Sequence, residues 1–121
     1  MTALVGFVLR LIPPRPTFMA DMNEQERSTM AAHIAYWSAL AESGQVIAFG
    51  PVADPNGPYG IGIIVAEDQA HAQRLCDADP ALGGGHGLRT ELAPMPRLVT
   101  PAGTYDGGGR GGPPPSPALG G

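Results

Sequence analysis

Two short segments of the chain are apolar on both sides of a strand, and this pattern restricts the possible folds more than any other feature. Residues 4–11 (LVGFVLRL) and 61–65 (IGIIV) are rich in β-branched and aromatic side chains, and apolar residues occupy both alternating sets. Helices of one chain cover only one face of such a sheet, so the other face requires a second cover. The simplest cover is another copy of the chain, packed sheet against sheet. The sequence therefore predicts a homodimer.

The remaining elements follow these strands in a definite order. Asn23, with Glu26 three residues later, predicts a helix start, and apolar residues then recur at helical spacing from Met30 to Ala41. The order β-α-β-β-α-β, with right-handed crossovers, predicts an α+β fold, a ferredoxin-like antiparallel sheet with both helices on one face. The predicted strands are 4–11, 45–49, 61–65 and 88–92, and the predicted helices are 24–43 and 68–77.

The composition of the chain changes near residue 97. Thirteen of the 24 residues from 98 to 121 are Gly or Pro, against 19 of the first 97. We therefore expect a folded domain at 1–97 and a flexible Gly/Pro-rich C-terminal tail at 98–121.

Charge and cysteine content exclude several classes of protein. The net charge is −4, with 11 acidic residues against seven arginines and no lysine, which argues against nucleic-acid or anionic-membrane partners. A single cysteine, Cys76, excludes a disulfide framework and a cysteine-based zinc site. Neither a signal-peptide pattern nor a membrane-spanning segment is recognisable, so we expect a cytoplasmic protein.

His33 is the most informative candidate for chemistry. It shares a helical stripe with Trp37 and Leu40, at the border of the buried face. An imidazole there is either a hydrogen-bonded structural group or, if a carboxylate orients it, a general base or acid near neutral pH. Asp79 and Asp54, each before a proline, are the two candidate partners, and the sequence does not decide between them.

Arg10 interrupts an apolar strand, so its charge requires water, an acid or an anion. One interpretation is an ion pair with Glu91 on the last strand. The other is that Arg10 and Arg15 together bind a carboxylate group of the substrate. His86 lies in a glycine loop that precedes a strand, which favours a connection over a phosphate cradle. The histidines lack the spacing of a metal motif, and we expect no metal and no cofactor.

A set of short pieces in a fixed order extends over roughly residues 5–97: FVLRLIPPRP at 7–16, His33 with Trp37, FGP at 49–51, Asp54-Pro55, YGIG at 59–62, Asp79-Pro80 and MPR at 95–97. In these pieces the chain resembles the YCII-related (YciI-like) family. The resemblance implies a dimeric α+β barrel, with a histidine–aspartate pair in a cleft that His33 and Asp79 match, whereas His86 stands where the family has an apolar residue.

Two functions from different classes remain open. The first is a small-molecule lyase or isomerase, in which His33 is the general base and Asp79 fixes its tautomer. The resemblance implies this class, because one branch of the family is a dehydrochlorinase and muconolactone isomerase has a related fold. The second is a dimeric ligand-binding or regulatory module without turnover. RNA binding on the sheet is disfavoured by the acidic charge. The candidate substrate-binding residues are Arg10, Arg15, Asp54, Tyr59 and His86.

Overall fold

A computed structural model describes residues 3–107 as a single sheet with helices on one side and a small hairpin on the other. The ferredoxin-like element order predicted from the sequence is confirmed, with two short helices and a hairpin in addition. In chain order the elements are β1 (Val5–Ile12), α1 (Phe18–Asp21), α2 (Glu24–Glu42), β2 (Val46–Val52), β3 (Tyr59–Ala66), α3 (Gln69–Asp77), α4 (Pro80–Gly83), β4 (Arg89–Met95), β5 (Leu98–Thr100) and β6 (Gly103–Tyr105).

The main sheet has the strand order β2-β3-β1-β4, and all neighbouring strands are antiparallel. The two strands that are apolar on both sides, β1 and β3, are therefore the central pair. Phe7 and Ile64 pair across them on the face that α2 and α3 cover, and the core there includes Trp37, Ala72 and Cys76. This is the α+β architecture that the sequence predicts.

Helix α2 begins as its sequence indicates. The Asn23 side chain accepts a hydrogen bond from the Glu26 backbone N–H, and the Glu26 side chain accepts one from the Asn23 backbone N–H. These two bonds form a capping box that satisfies N–H groups at the helix start. Across residues 3–107, no helix is both long and apolar enough to cross a membrane.

The face of the sheet opposite the helices is apolar across its middle. Val8 pairs with Ile63 and with Ala93, and Ile63 pairs with Ala48, so an apolar row crosses all four strands. Val8 and Ile63 are only partly buried within the chain. We call this row and the neighbouring Ile61 the open face.

The hairpin β5–β6 covers one end of the open face. The side chain of Leu98 fills the space over Gly6, where an added Cβ would lie 2.8 Å from Leu98 Cβ. Gly6 pairs with Val65, which is 2% exposed, and Leu98 is 6% exposed. One part of the second face is therefore buried by the same chain.

Residues 98–105 correct the predicted start of the flexible tail. They form strands around a turn at Pro101 and Ala102, whereas the composition averaged over 98–121 favoured disorder. The glycine and proline runs that dominate the composition of 98–121 begin after Tyr105. They conceal a short preceding segment whose residues, two strand-forming stretches around a proline-containing turn, are typical of a hairpin. The remainder of the predicted tail, residues 108–121, lies outside the described residues.

We expect Leu98→Ala to lower the free energy of unfolding by about 2 to 5 kcal/mol, because it leaves a cavity over Gly6. Val99→Ala is the matched control, since Val99 is 44% exposed in the same strand and its truncation should cost less than about 0.5 kcal/mol. Urea denaturation of both variants measures the difference. Equal stability of the two variants would mean that the hairpin does not pack on the sheet.

Candidate functional site

A histidine and a buried aspartate meet where α2 packs beside α4. His33 Nδ1 lies 2.8 Å from Asp79 Oδ2 and 3.0 Å from Asp79 Oδ1. The Asp79 side chain is 3% exposed and that of His33 is 13% exposed. Of the two candidate partners that the sequence left open, the structure places Asp79 against the imidazole.

Three donors surround the Asp79 carboxylate. Besides His33, the indole Nε1–H of Trp37 donates to Oδ2 at 2.7 Å, and the backbone N–H of Ala81 donates to Oδ1 at 2.9 Å. An ionised carboxylate only accepts hydrogen bonds, so the proton of neutral His33 is assigned to Nδ1. The lone pair of the ring then lies on Nε2, the nitrogen that a base would use.

The Asp79 carboxylate is held in its charged form. Burial by itself would raise the pKa of Asp79, but the hydrogen bonds from His33, Trp37 and Ala81 together outweigh burial and hold that pKa below its ordinary value. The carboxylate is therefore ionised at neutral pH. A charge at that position stabilises a proton arriving on the imidazole.

The local sequence explains why the three groups converge. Asp79 is the N-cap of α4, with extended backbone, and Pro80 follows at the first helical position, where its missing N–H costs nothing. His33 and Trp37 are four residues apart on α2 and so project from the same side of the helix. One carboxylate at the start of α4 can thus reach both side chains.

A pocket of about 130 Å³ lies between α2 and the sheet, with His33 in its wall. On the sheet side, Gly60 and Gly62 of β3 pair with Leu11 and Leu9, so they occupy the helix-facing positions without side chains. The other walls are mainly apolar, and include Leu9, Leu11, Phe18, Met30, Trp37 and Phe49.

Arg10 lies on the open face rather than in this pocket. Strand alternation puts it opposite Leu9 and Leu11, which line the pocket. Its Nη1 is 3.6 Å from Glu91 Oε1, and its guanidinium carbon is 4.1 Å from the ring centroid of Tyr59. The ion pair with Glu91, one of the two interpretations from the sequence, is present. Tyr59 itself also borders the pocket.

Arg15 is bound in an ion cluster at the start of α2. It donates to both carboxylate oxygens of Glu26, at 2.8 and 2.9 Å, and to Asp21 at 2.9 Å. The hydrogen bond from Arg15, followed by that from the Asn23 backbone, lowers the pKa of Glu26 to about 2. The hydrogen bonds to Glu26 and then to Asp21 raise the pKa of Arg15. The structure therefore does not bring Arg10 and Arg15 together.

The other predicted substrate-binding residues, His86 and Asp54, hydrogen-bond to groups outside this pocket. His86 Nε2 lies 3.0 Å from Thr29 Oγ1, which ties the glycine loop to α2. Asp54 accepts from the Asn56 backbone N–H at 2.9 Å, as a turn residue. Neither residue lines the pocket that holds His33. Among residues 3–107 there is no group of three His, Cys, Asp or Glu side chains placed to hold a metal ion.

Sequence reasoning missed two features of the site. The sequence places Trp37 on the helical stripe of His33 but does not predict that its indole donates to Asp79, a role that fits its position one helical turn from His33. Gly62 lies inside the predicted strand 61–65 and Gly60 just before it, and their alternation within YGIGI marks one side of β3 as lacking side chains. Both features follow from three-dimensional packing that spacing alone only suggests.

Comparisons with known proteins agree with this fold. The family model of the YCII-related domain matches residues 6–96. Among solved structures, the chain is similar to 5-chloro-2-hydroxyhydroquinone dehydrochlorinase (TftG) from Burkholderia phenoliruptrix, in complex with 2,5-dihydroxybenzoquinone. That match has a TM-score of 0.52 and 20% identity, and covers 72% of this chain and 90% of that chain. It confirms the predicted fold type, that of the dimeric α+β barrels, and shows the fold alone.

Two further structures are less similar. An uncharacterized protein from Thermotoga maritima matches with a TM-score of 0.46 and 10% identity, over 78% of this chain and 99% of that chain. SnoaB, a cofactor-independent oxygenase from Streptomyces nogalater, matches with a TM-score of 0.41 and 16% identity, over 81% and 96%. No curated protein matches the sequence.

The Glu26–Arg15 contact predicts a loss of stability in acid. Because the pKa of Glu26 is lowered from 4.5 to about 2 in the folded protein, its contribution is complete above the unfolded value and declines as the pH falls towards 2. We expect Glu26→Gln to be less stable at pH 7 and to lose less stability over this interval than wild type. Thermal midpoints between pH 2 and 7 measure both effects.

Glu24→Gln is the control for this measurement. Glu24 lies in the same first turn of α2 and is exposed, so this variant should follow the wild-type acid profile. An unchanged acid profile in Glu26→Gln would show that the ion cluster does not contribute to acid sensitivity.

Proposed function

The chain belongs to the YCII-related domain family, and from this we propose that it is a small-molecule enzyme, a lyase or isomerase that moves a proton with the His33–Asp79 pair. The observation that carries the proposal is the imidazole in the wall of an apolar pocket, with a buried, ionised carboxylate on its Nδ1. A structural histidine needs no adjoining pocket. In this proposal the adjoining pocket brings a ligand to Nε2, the nitrogen that carries the lone pair.

In the proposed mechanism, His33 Nε2 removes a proton from the bound molecule. Asp79 keeps the ring in the reactive tautomer and stabilises the imidazolium that forms, while Trp37 and Ala81 keep the carboxylate in place. Returning the proton to another atom completes an isomerisation. In an elimination, the electron pair of the broken bond to hydrogen forms a double bond, and the leaving group departs with the electron pair of its own bond. His33 then releases the proton to solvent. A positioned acid–base group of this kind contributes about 10²- to 10⁴-fold in rate.

The similar dehydrochlorinase supports elimination as the first reaction to test. That protein is described as acting on a chlorinated hydroxyhydroquinone and was solved with a dihydroxybenzoquinone. Elimination of chloride from such a ring requires a base, which His33 would supply. The alternative function, a ligand-binding or regulatory module without turnover, uses the same pocket and differs in that the ligand is recovered unchanged.

His33→Gln should reduce turnover by about 10²- to 10⁴-fold, because the amide is not basic at neutral pH. The substrates are a panel of chlorinated hydroquinones and small lactones. The readouts are chloride release and exchange of carbon-bound hydrogen for deuterium in D₂O, measured by NMR. Exchange reports proton transfer even when the complete reaction is not identified.

Two further variants sharpen this test. Asp79→Asn should also slow the reaction, because an amide side chain does not stabilise the imidazolium as a charge does. His71→Gln is the matched control: His71 lies on α3, accepts from the Glu67 backbone N–H and does not line the pocket. Wild-type rates in His33→Gln would exclude the mechanism. Saturable binding with no exchange in the wild type would favour the ligand-binding module.

The proposed enzyme acts as a homodimer through the open face. The hairpin buries one end of that face, but the apolar row through Val8 and Ile63 is only partly buried within one chain. Small residues at its ends, Ala48 and Ala93, leave the row flat enough for a second sheet. Burial of such a patch against a second copy is favourable because it removes apolar surface from water.

Ile63→Asp should convert the dimer to a monomer at micromolar concentration, because it places a charge in the middle of the proposed interface. Ala39→Asp adds the same charge at an exposed position of α2 and should leave the dimer intact. Sedimentation velocity measures the oligomeric state of the wild type and both variants. A monomeric wild type would contradict the proposal.

A further inference from the structure

We propose that the pocket at His33 selects a flat, uncharged ring that lies against the side-chain-free strip at Gly60 and Gly62 and donates one polar hydrogen to His33 Nε2. The inference rests on the proposed function for the role of His33. It adds the class of ligand, which the reaction alone does not define.

The glycine strip determines the shape of the site. Gly60 and Gly62 face α2 from β3, and a Cβ at Gly62 would lie 3.2 Å from Leu9 Cγ. A Cβ at Gly60 would lie 3.4 Å from Leu11 Cβ. The strip is therefore narrow: Leu9 packs closely against Gly62, which is buried, whereas Gly60 is partly exposed. A planar molecule can approach the backbone closely at Gly60, whereas a puckered ring is thicker and would be displaced towards α2.

The walls and the volume fit one aromatic ring. Three aromatic side chains line the pocket: Phe49, which is partly exposed, and Trp37 and Phe18, which are buried. Aromatic rings pack favourably edge to face or offset against one another. The pocket measures about 130 Å³. An apolar cavity of roughly 150 Å³ is known to hold benzene, so the size suits a single ring with small substituents.

The charge of the walls excludes a carboxylate ligand. No arginine lines the pocket in the described part of the chain, and there is no lysine in the sequence. Arg10 lies on the other side of the sheet with Glu91, and Arg15 is bound by Glu26 and Asp21. While His33 is neutral, an anion would lie near the ionised Asp79 without a counter-charge, and burying an unpaired charge is costly.

Fluorine NMR titrations with 4-fluorophenol and 4-fluorobenzoate test the charge preference, because the two rings differ mainly in the charged group. We expect 4-fluorophenol to bind at least tenfold more tightly than 4-fluorobenzoate. Cyclohexanol, which has a hydroxyl group on a puckered ring, should displace 4-fluorophenol at least tenfold less effectively than phenol does. Equal or tighter binding of 4-fluorobenzoate, or no binding of 4-fluorophenol, would overturn the proposal.

Gly60→Ala and Gly62→Ala test where the ring lies. Each substitution adds a methyl group to the strip and should weaken the binding of 4-fluorophenol at least tenfold. Gly83→Ala is the matched control, since its added Cβ meets open space and Gly83 does not line the pocket. Thermal midpoints confirm that the variants fold, and the milder contact at Gly60 makes Gly60→Ala the decisive variant. Undiminished binding in folded Gly60→Ala would place the ring elsewhere and refute the proposal.

These titrations measure binding without turnover, so they separate the ligand class from the proposed reaction. Selective binding of 4-fluorophenol with no proton exchange on any substrate would refute the enzyme and leave the ligand class standing. Turnover that depends on His33 but accepts carboxylates as readily as phenols would refute the ligand class and leave the proposed enzyme standing.

Discussion

The buried carboxylate of Asp79 is the constraint on which the site depends. A charge that is 3% exposed is tolerated in an apolar interior only when hydrogen bonds replace its hydration, and three donors do so here. Two of these donors, His33 and Trp37, come from α2, and the third is the backbone of α4. The orientation of the imidazole is thus determined by the same contacts that join the two helices.

The helix-covered face of the sheet is divided along the strands into a part filled by side chains and a part that forms the pocket. Where Phe7 pairs with Ile64, two large side chains fill the space under the helices. Two and four residues further along β1, the partners on β3 are Gly62 and Gly60, and the space under α2 is left for the pocket. Strand β3 therefore contributes to the core where its helix-facing residue is Ile64, and to the pocket where its helix-facing residues are Gly60 and Gly62.

Most of the fold could be predicted from local signals, and less of the site could. The capping box at Asn23 and the periodicity of α2 are local and were sufficient for that helix. The partner of His33 is 46 residues away, so spacing could not choose between Asp79 and Asp54. The alternation of β1 does predict that Arg10 lies on the opposite side of the sheet from Leu9 and Leu11. Charge alone, which suggested that Arg10 and Arg15 act together, carries no information about the face. The hairpin at 98–105 was missed because composition was averaged over a longer segment.

The balance of charge in the pocket connects the proposed reaction with the proposed ligand. Before proton transfer, the site holds a neutral imidazole beside one carboxylate charge, on Asp79. If the ligand is neutral, the transfer produces an imidazolium between two anions, Asp79 and the deprotonated ligand, and each negative charge lies next to the positive one. If the ligand is already an anion, the transfer places a second negative charge on it, and the pocket as described offers no arginine to offset that charge. In a low-dielectric site such charge separation without a partner raises the barrier. In the proposal, the absence of cations from the described pocket therefore acts twice: it favours the binding of uncharged rings, and it favours substrates that become anions only as His33 takes their proton.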